Sequence, residues 1–128
     1  ELAPNHVARI TELVKQGFYD GIIFHRVIPG FMAQTGDPTG TGTGGSGENL
    51  NAEFTDYEYV EGTVGMARAM NPNSADSQFF ICFEGCSHLT GQYTVWGQVT
   101  DGMDVVRKIN EGQPPAEPDQ IVSARMKD

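Results

Sequence analysis

Apolar positions recur with two different periods along this chain. Val7, Ile10, Leu13 and Val14 return at three- and four-residue intervals, the stripe of a helix packed on one side. Pro4 suits a first turn, where its missing N–H costs nothing, and Gly17 suits the close, so the spacing predicts a helix over 4–16. A second short helix is expected after Asp101 and Gly102, with Met103, Val106 and Ile109 on one face and Gly112 ending it. Elsewhere the period is two, and strands are expected over 22–27, 31–35, 62–67, 77–83, 93–99 and 121–126. Residues 52–54 read as a short extended piece and 57–60 as surface structure. Between them lie turn-rich stretches: DPTGTGTGGSG at 37–47, AMNPNSAD at 69–76 and a Pro-rich turn at 113–119. Two helices placed among many short strands predict a mainly β fold, α+β or a helix-capped barrel.

Alternation also sorts side chains by face. Phe24 and Arg26 point one way from their strand, and His25 and Val27 the other. After the Ile28-Pro29-Gly30 interruption, Met32 and Gln34 share a face beside Phe31. An apolar platform, a flexible Met, an amide and a permanent cation converge there. That is a small pocket with one strong hydrogen-bond donor, not a proton-transfer centre. In the strand SQFFICF, Gln78, Phe80 and Cys82 share one face, and Phe79, Ile81 and Phe83 the other. His25 is expected to be a hydrogen-bonded structural residue and His6 a surface one.

Composition narrows the function classes. A length of 128 residues suits one domain, 1–128, and 16 Gly fit its many turns. The net charge of −9, from 17 acidic and 8 basic residues, argues against nucleic acid or an anionic membrane as partner, since both select clustered Lys and Arg. There is no apolar run long enough for a membrane span and no signal-peptide h-region. The Gly-rich stretch at 37–47 has no Lys-Ser/Thr pair leading into a helix, so phosphate binding is not expected. Its expected role is close backbone approach to the pocket. Cys82 and Cys86 are expected to be free thiols, because a bridge across so short a span would distort the strand end. No cysteine pair or His cluster completes a metal site. The acidic charge and free thiols together point to the cytoplasm.

The blocks FHRVIPGFMAQTGDPTGTGTGG, GMARA, SADSQFFICF and YTVWGQV, in this order, resemble the cyclophilins, the cyclosporin-binding family of peptidyl-prolyl cis–trans isomerases. The resemblance implies an antiparallel β-barrel capped by two short α-helices, with an active groove on the outside of the barrel wall. By motif, Arg26 matches the family's essential arginine and Gln34 the glutamine beside it, which implies catalytic roles for both. Phe31 and Met32 match the proline pocket. Gly42, Ala67, Arg68, Ala69, Gln78, Phe80 and Leu89 match residues that line the groove and bind substrate. At Arg68 the family often has Asn, a change that backbone contacts should survive. His88 stands where human-type members carry Trp, and Tyr93 where they carry His, so the chain looks bacterial in type. Both positions belong to the implied binding surface.

The resemblance implies rotation about X–Pro bonds in peptides and folding proteins, with no covalent intermediate and no cofactor or metal. The implied partners are proline-containing peptides and unfolded clients. Loss of the Trp indole N–H implies reduced cyclosporin affinity, and a monomer is expected. Family members have two strands before the first helix, and ELAP resembles only the end of the second. The expectation is therefore of a domain lacking its N-terminal strands or receiving them from elsewhere. A proline-peptide binding or chaperone module with weak turnover is the alternative, and a fragment that folds only with a partner is a third reading.

Overall fold

The computed structural model describes residues 2–127. Helix α1 spans Pro4–Lys15. Five strands follow: β1 (Arg26–Ile28), β2 (Met32–Thr35), β3 (Thr63–Met66), β4 (Phe79–Cys82) and β5 (Val95–Gln98). A single 3-10 turn, Ser87–Leu89, precedes β5, and helix α2 (Met103–Val106) follows it. The strands form one antiparallel sheet in the order β1-β2-β4-β3-β5. No helix is long and apolar enough to cross a membrane among the described residues.

Helix α1 starts at Pro4, and Gly17 sits just past its end at φ +73°, a left-handed conformation that glycine adopts without penalty. Ile10 and Leu13 are buried, as the stripe requires, but Val7 is exposed. The inward place belongs to His6, which is fully buried instead of lying on the surface. The first turn of a helix has backbone N–H groups with no partner inside the helix. Here the Glu53 carboxylate accepts from the N–H of Asn5 (3.2 Å) and of His6 (2.8 Å), and pairs with His6 Nδ1 at 2.6 Å. Burial works to raise the Glu53 pKa, but these bonds outweigh it and hold the pKa below the usual range. One carboxylate thus caps α1 from a segment far along the chain.

Three apolar clusters fill the interior. Ile10, Leu13, Tyr19, Ile22, Leu50, Met66 and Ala75 pack together under α1. Met32, Tyr59, Phe80, Cys82, Cys86, Leu89 and Val95 form a second group. Val27, Ala33 and Phe83 form a third, covered by Met103, Val106 and Ile109 around α2.

Three local expectations are corrected. The stretch 57–60 is not purely surface, because Tyr59 is buried and stacks on Phe80. Residues 121–126 are not a strand: Ile121 exchanges bonds with Gly21 and Ile22, and Val122 beyond it is 86% exposed. A strand needs a paired neighbour, and none lies beside 122–126 among the described residues. His25 is buried and its ring meets the Gln78 side chain, in keeping with a structural role, while its Nδ1 has no hydrogen-bond partner among the described residues. Cys82 and Cys86 are joined as a disulfide instead of standing as free thiols. β4 stops at Cys82, and residues 83–86 bend into the 3-10 segment. The two Cα atoms come within 6.1 Å, inside the range a disulfide spans. The thiol argument for a reducing compartment goes with that correction.

Candidate functional site

Strand register builds the centre of the site. Arg26 pairs with Gln34 across β1 and β2, Gln34 with Phe80 across β2 and β4, and Phe80 with Gly65 across β4 and β3. Directly paired residues point to the same side of a sheet, so Arg26, Gln34 and Phe80 stand in one row. Ile28, Met32 and Cys82 form the next row on that side. Gly65 contributes no side chain to its row. A Cβ there would collide with the Tyr59 hydroxyl and the Phe80 ring, so the glycine makes room for the Tyr59–Phe80 stack.

Arg26 is exposed, and two amides hold its guanidinium. Nη1 donates to Gln34 Oε1 and Nε donates to Gln113 Oε1, each at 3.3 Å. Gln34 Nε2 donates in turn to Gln78 Oε1 (2.9 Å), and Gln78 Nε2 donates to the Gly42 and Gly44 carbonyls at 3.0 Å. A chain of amides therefore links the cation to the Gly-rich loop.

A cavity of about 110 Å³ opens beside Arg26, lined by Phe31, Met32, Gln34, Ala67, Arg68, Phe80, Leu89 and Tyr93. Its floor is rigid: Phe80 stacks on Tyr59 at 5.8 Å and meets the Tyr93 ring edge-on at 6.0 Å. Tyr59 Oη donates to the Tyr93 carbonyl (2.9 Å), and burial raises its pKa. The disulfide ties the end of β4 to the turn that carries Leu89. The cavity is apolar except for cations and amides. It can bury a small ring and present N–H donors to it. Its lining holds no carboxylate, imidazole or thiol among the described residues.

A second cavity, about 370 Å³, adjoins the first through Gln34, Ala67 and Arg68 and reaches Gly42, Ala69, Asp76 and Gln78. The Gly-rich loop forms its wall. Asp37, 1% exposed, anchors that loop by accepting from Thr39 N (2.8 Å), Thr39 Oγ1 (2.7 Å), Gly42 N (2.6 Å) and Gly44 N (3.0 Å). Burial would raise its pKa, yet these four donors bring it down to about 2. His25 lies against Gly42, and burial pushes its pKa below the usual histidine value, with Asp37 opposing. Among the described residues no group of three or more His, Cys, Asp or Glu side chains gathers as a metal site.

Most of the sequence-predicted residues meet here. Arg26, Phe31, Met32, Gln34, Ala67, Arg68, Phe80, Leu89 and Tyr93 share the small cavity, while Gly42, Ala69 and Gln78 line the larger one. His88 lines neither of these two. It is exposed and its ring sits 5.4 Å from Phe31. Arg68 contributes more than backbone. Its guanidinium lies 4.5 Å over the Tyr93 ring, with Nη2 donating to Gln92 O (2.9 Å) and Nη1 to Ala69 O (3.0 Å). Two supporting residues escaped the sequence reading. Tyr59 carried a faint signal as an aromatic in an otherwise acidic stretch. Gln113 carried none, because an amide in a Pro-rich turn has no period to betray its direction.

Comparison with known proteins identifies the family. The family described as cyclophilin type peptidyl-prolyl cis-trans isomerase matches residues 1–126. A probable peptidyl-prolyl cis-trans isomerase of Brucella abortus is 52% identical over 141 residues, spanning 97% of this chain and 72% of that protein. A crystal structure of a Hirschia baltica cyclophilin superposes with a TM-score of 0.86 at 32% identity, covering 98% of this chain and 66% of that one. A Cryptosporidium parvum cyclophilin type isomerase, crystallised in the presence of the dipeptide Ala-Pro, superposes with a TM-score of 0.88 at 30% identity, covering 99% of this chain and 88% of that one.

Proposed function

The chain belongs to the cyclophilin-type peptidyl-prolyl cis–trans isomerases, and we propose that its isomerase activity on proline-containing peptides is carried by the small cavity beside Arg26. The proline ring enters among Phe31, Met32, Phe80 and Leu89. The residue before proline runs along Ala67 to Ala69 toward the Gly42 loop.

The reaction sets its own requirement. Rotation about X–Pro faces a barrier of roughly 18–20 kcal/mol from amide resonance. As the bond twists, the prolyl nitrogen pyramidalises and regains a lone pair. A donor directed at that nitrogen stabilises the twisted form more than the planar one, which is what accelerates the step. Arg26 supplies that donor from its planar guanidinium. Gln34 fixes one face of the guanidinium, and the apolar walls strengthen the interaction by excluding water. No nucleophile, cofactor or proton shuttle is required.

The observation that carries this reading is the single row of Arg26, Gln34 and Phe80 across three paired strands. It puts cation and ring platform at a fixed spacing on a rigid sheet. A binding module with little turnover would not need its arginine clamped by amides, so the clamp favours catalysis. Arg26→Ala should lower kcat/KM on an Ala-Pro peptide by roughly 10²-fold or more, as removal of a preorganised donor does. Undiminished turnover in that variant would sink the mechanism. Unfolded chains that present X–Pro bonds are the proposed clients, and the chain is proposed to act as a monomer. His88 offers no indole N–H beside Phe31, so cyclosporin is expected to bind more weakly than to members with Trp there, as a direct titration would reveal.

A further inference from the structure

We propose that Gln113 is a positioning residue for the isomerisation, holding the Arg26 guanidinium from the side opposite Gln34. The inference rests on the reading that Arg26 acts on the prolyl nitrogen. An arginine carries five N–H donors in a planar fork. Gln34 takes one at Nη1, and Gln113 takes the one at Nε. Two contacts at different corners of the fork fix its plane, whereas one leaves it free to swing. Burial cannot do this instead, because Arg26 is exposed. No carboxylate forms an ion pair with it among the described residues. Both clamps are neutral, so the guanidinium keeps its full charge and has N–H groups left for a ligand in the cavity it lines.

The turn that carries Gln113 is built against β1. Val27 N donates to Gly112 O (2.8 Å) and Gly112 N donates back to Val27 O (3.0 Å), one residue from Arg26 and one from Gln113. Phe24 N donates to Asp119 O (2.9 Å), and the Asp119 carboxylate accepts from Asn110 N (2.7 Å). The turn is therefore fastened at one end to β1, on the edge that β2 leaves open, and at the other to Phe24 just before it. Gly112 sits at φ +143°, where a Cβ would run into the Pro114–Pro115 backbone. This packing sets where residue 113 emerges, and the amide does the rest.

A neutral amide at this place makes a sharp test possible. Glu at 113 keeps the size and the oxygen but adds a charge that titrates. When protonated it is an amide-like acceptor. When ionised it pairs with Arg26 and weakens the pull on the prolyl lone pair. The other charged groups of the turn are Glu111, Glu117 and Asp119, with His25 just before β1 and Arg68 across the cavity that Arg26 lines. They are shared by wild type and variants, so they cancel in the comparison.

The experiment measures kcat and KM by NMR cis–trans exchange on an Ala-Pro peptide, from about pH 3 to pH 7, an interval that reaches well below the ordinary Glu value of about 4.3. Gln113→Leu, Gln113→Glu and Arg26→Ala are compared, together with the two double variants. Gln113→Leu should lower kcat by about 3–10-fold, the worth of one exposed hydrogen bond, with KM within about twofold and an unchanged melting temperature. Gln113→Glu should match wild type at the acid end and lose kcat as pH rises through the new carboxyl's titration. Neither substitution should slow Arg26→Ala further, because both act through that side chain. An unchanged kcat in Gln113→Leu, a Gln113→Glu profile parallel to wild type, or a loss that persists without Arg26 overturns the positioning role alone. Full activity in Arg26→Ala overturns the reading beneath it as well.

Discussion

Arg26, Gln34 and Phe80 come from three paired strands, while Arg68, His88 and Gln113 come from three separate turns; Arg68 lines the same groove, Gln113 bears on it through Arg26, and His88 stands outside it against Phe31. The strand-borne group is fixed by register. Moving any one of its members by one residue would flip it to the other side of the sheet. The turn-borne group is fixed by individual contacts: a cation over a ring, an amide on a guanidinium, an imidazole against Phe31. The first group sets where the proline ring and the donor stand. The second shapes the edges and holds the donor still. Substitutions in the first should cost stability and activity together, and substitutions in the second should separate them.

The largest expected effect belongs to Phe80. Its ring is buried, stacks on Tyr59 and meets Tyr93 edge-on. Phe80→Ala removes both contacts and leaves a cavity under the groove, a change that costs about 3–5 kcal/mol in well-packed cores. Denaturant unfolding would measure it, alongside a loss of turnover. A loss below about 1 kcal/mol would mean that the site's floor is not part of the core, and the contrast between the two groups would fail.

The division also marks what the sequence made legible. Period-two alternation put Met32 with Gln34 and Phe80 with Cys82, and the pairing bears out both. It could also lead one to Arg26, because the strand direction is local information. The same alternation said nothing of His6, since its inward turn depends on Glu53, 47 residues away. It misread 121–126, where apolar spacing exists without a neighbour to pair. The Cys82–Cys86 bridge overturns the expectation that so short a span would distort the strand end, because β4 ends at Cys82 and the chain beyond it brings Cys86 within reach. Turn-borne contacts share that blindness. Gln113 reaches Arg26 across 87 residues of sequence, and nothing in a Pro-rich turn announces it.

A middle-sized effect comes from acid, and it probes the anchor of the Gly-rich loop, a turn that belongs to neither group. The Asp37 pKa falls to about 2 when folded, below the ordinary carboxylate value, so its bonds to Thr39, Gly42 and Gly44 stabilise the fold above that ordinary value. The contribution is about 2 kcal/mol, and it is lost as pH falls from about 4 toward 2. Asp37→Asn removes the charge at every pH. The wild type should therefore lose its stability advantage over Asp37→Asn across that window, as thermal melts at stepped pH would record. An advantage that stays constant down to pH 2 would mean that the loop is held by something other than the carboxylate.

The smallest effect is the most discriminating. Arg68 lies over Tyr93 and ties the Ala69 and Gln92 carbonyls together, so it joins two turns on either side of the groove. Its contacts are exposed, and a cation–π pair at such a site is worth only about 0.5–1 kcal/mol. Arg68→Ala should barely move the unfolding midpoint. It should widen the groove instead, raising KM by about 3–10-fold with kcat within about twofold, the pattern of an interaction made equally with planar and twisted substrate. Arg68→Lys keeps the charge over the ring but not the planar fork that reaches both carbonyls, so its KM should fall between the two. A drop in kcat at constant KM would move Arg68 out of the wall and into the set of groups that act on the twisting bond. The division between strand-borne chemistry and turn-borne shape would then no longer hold.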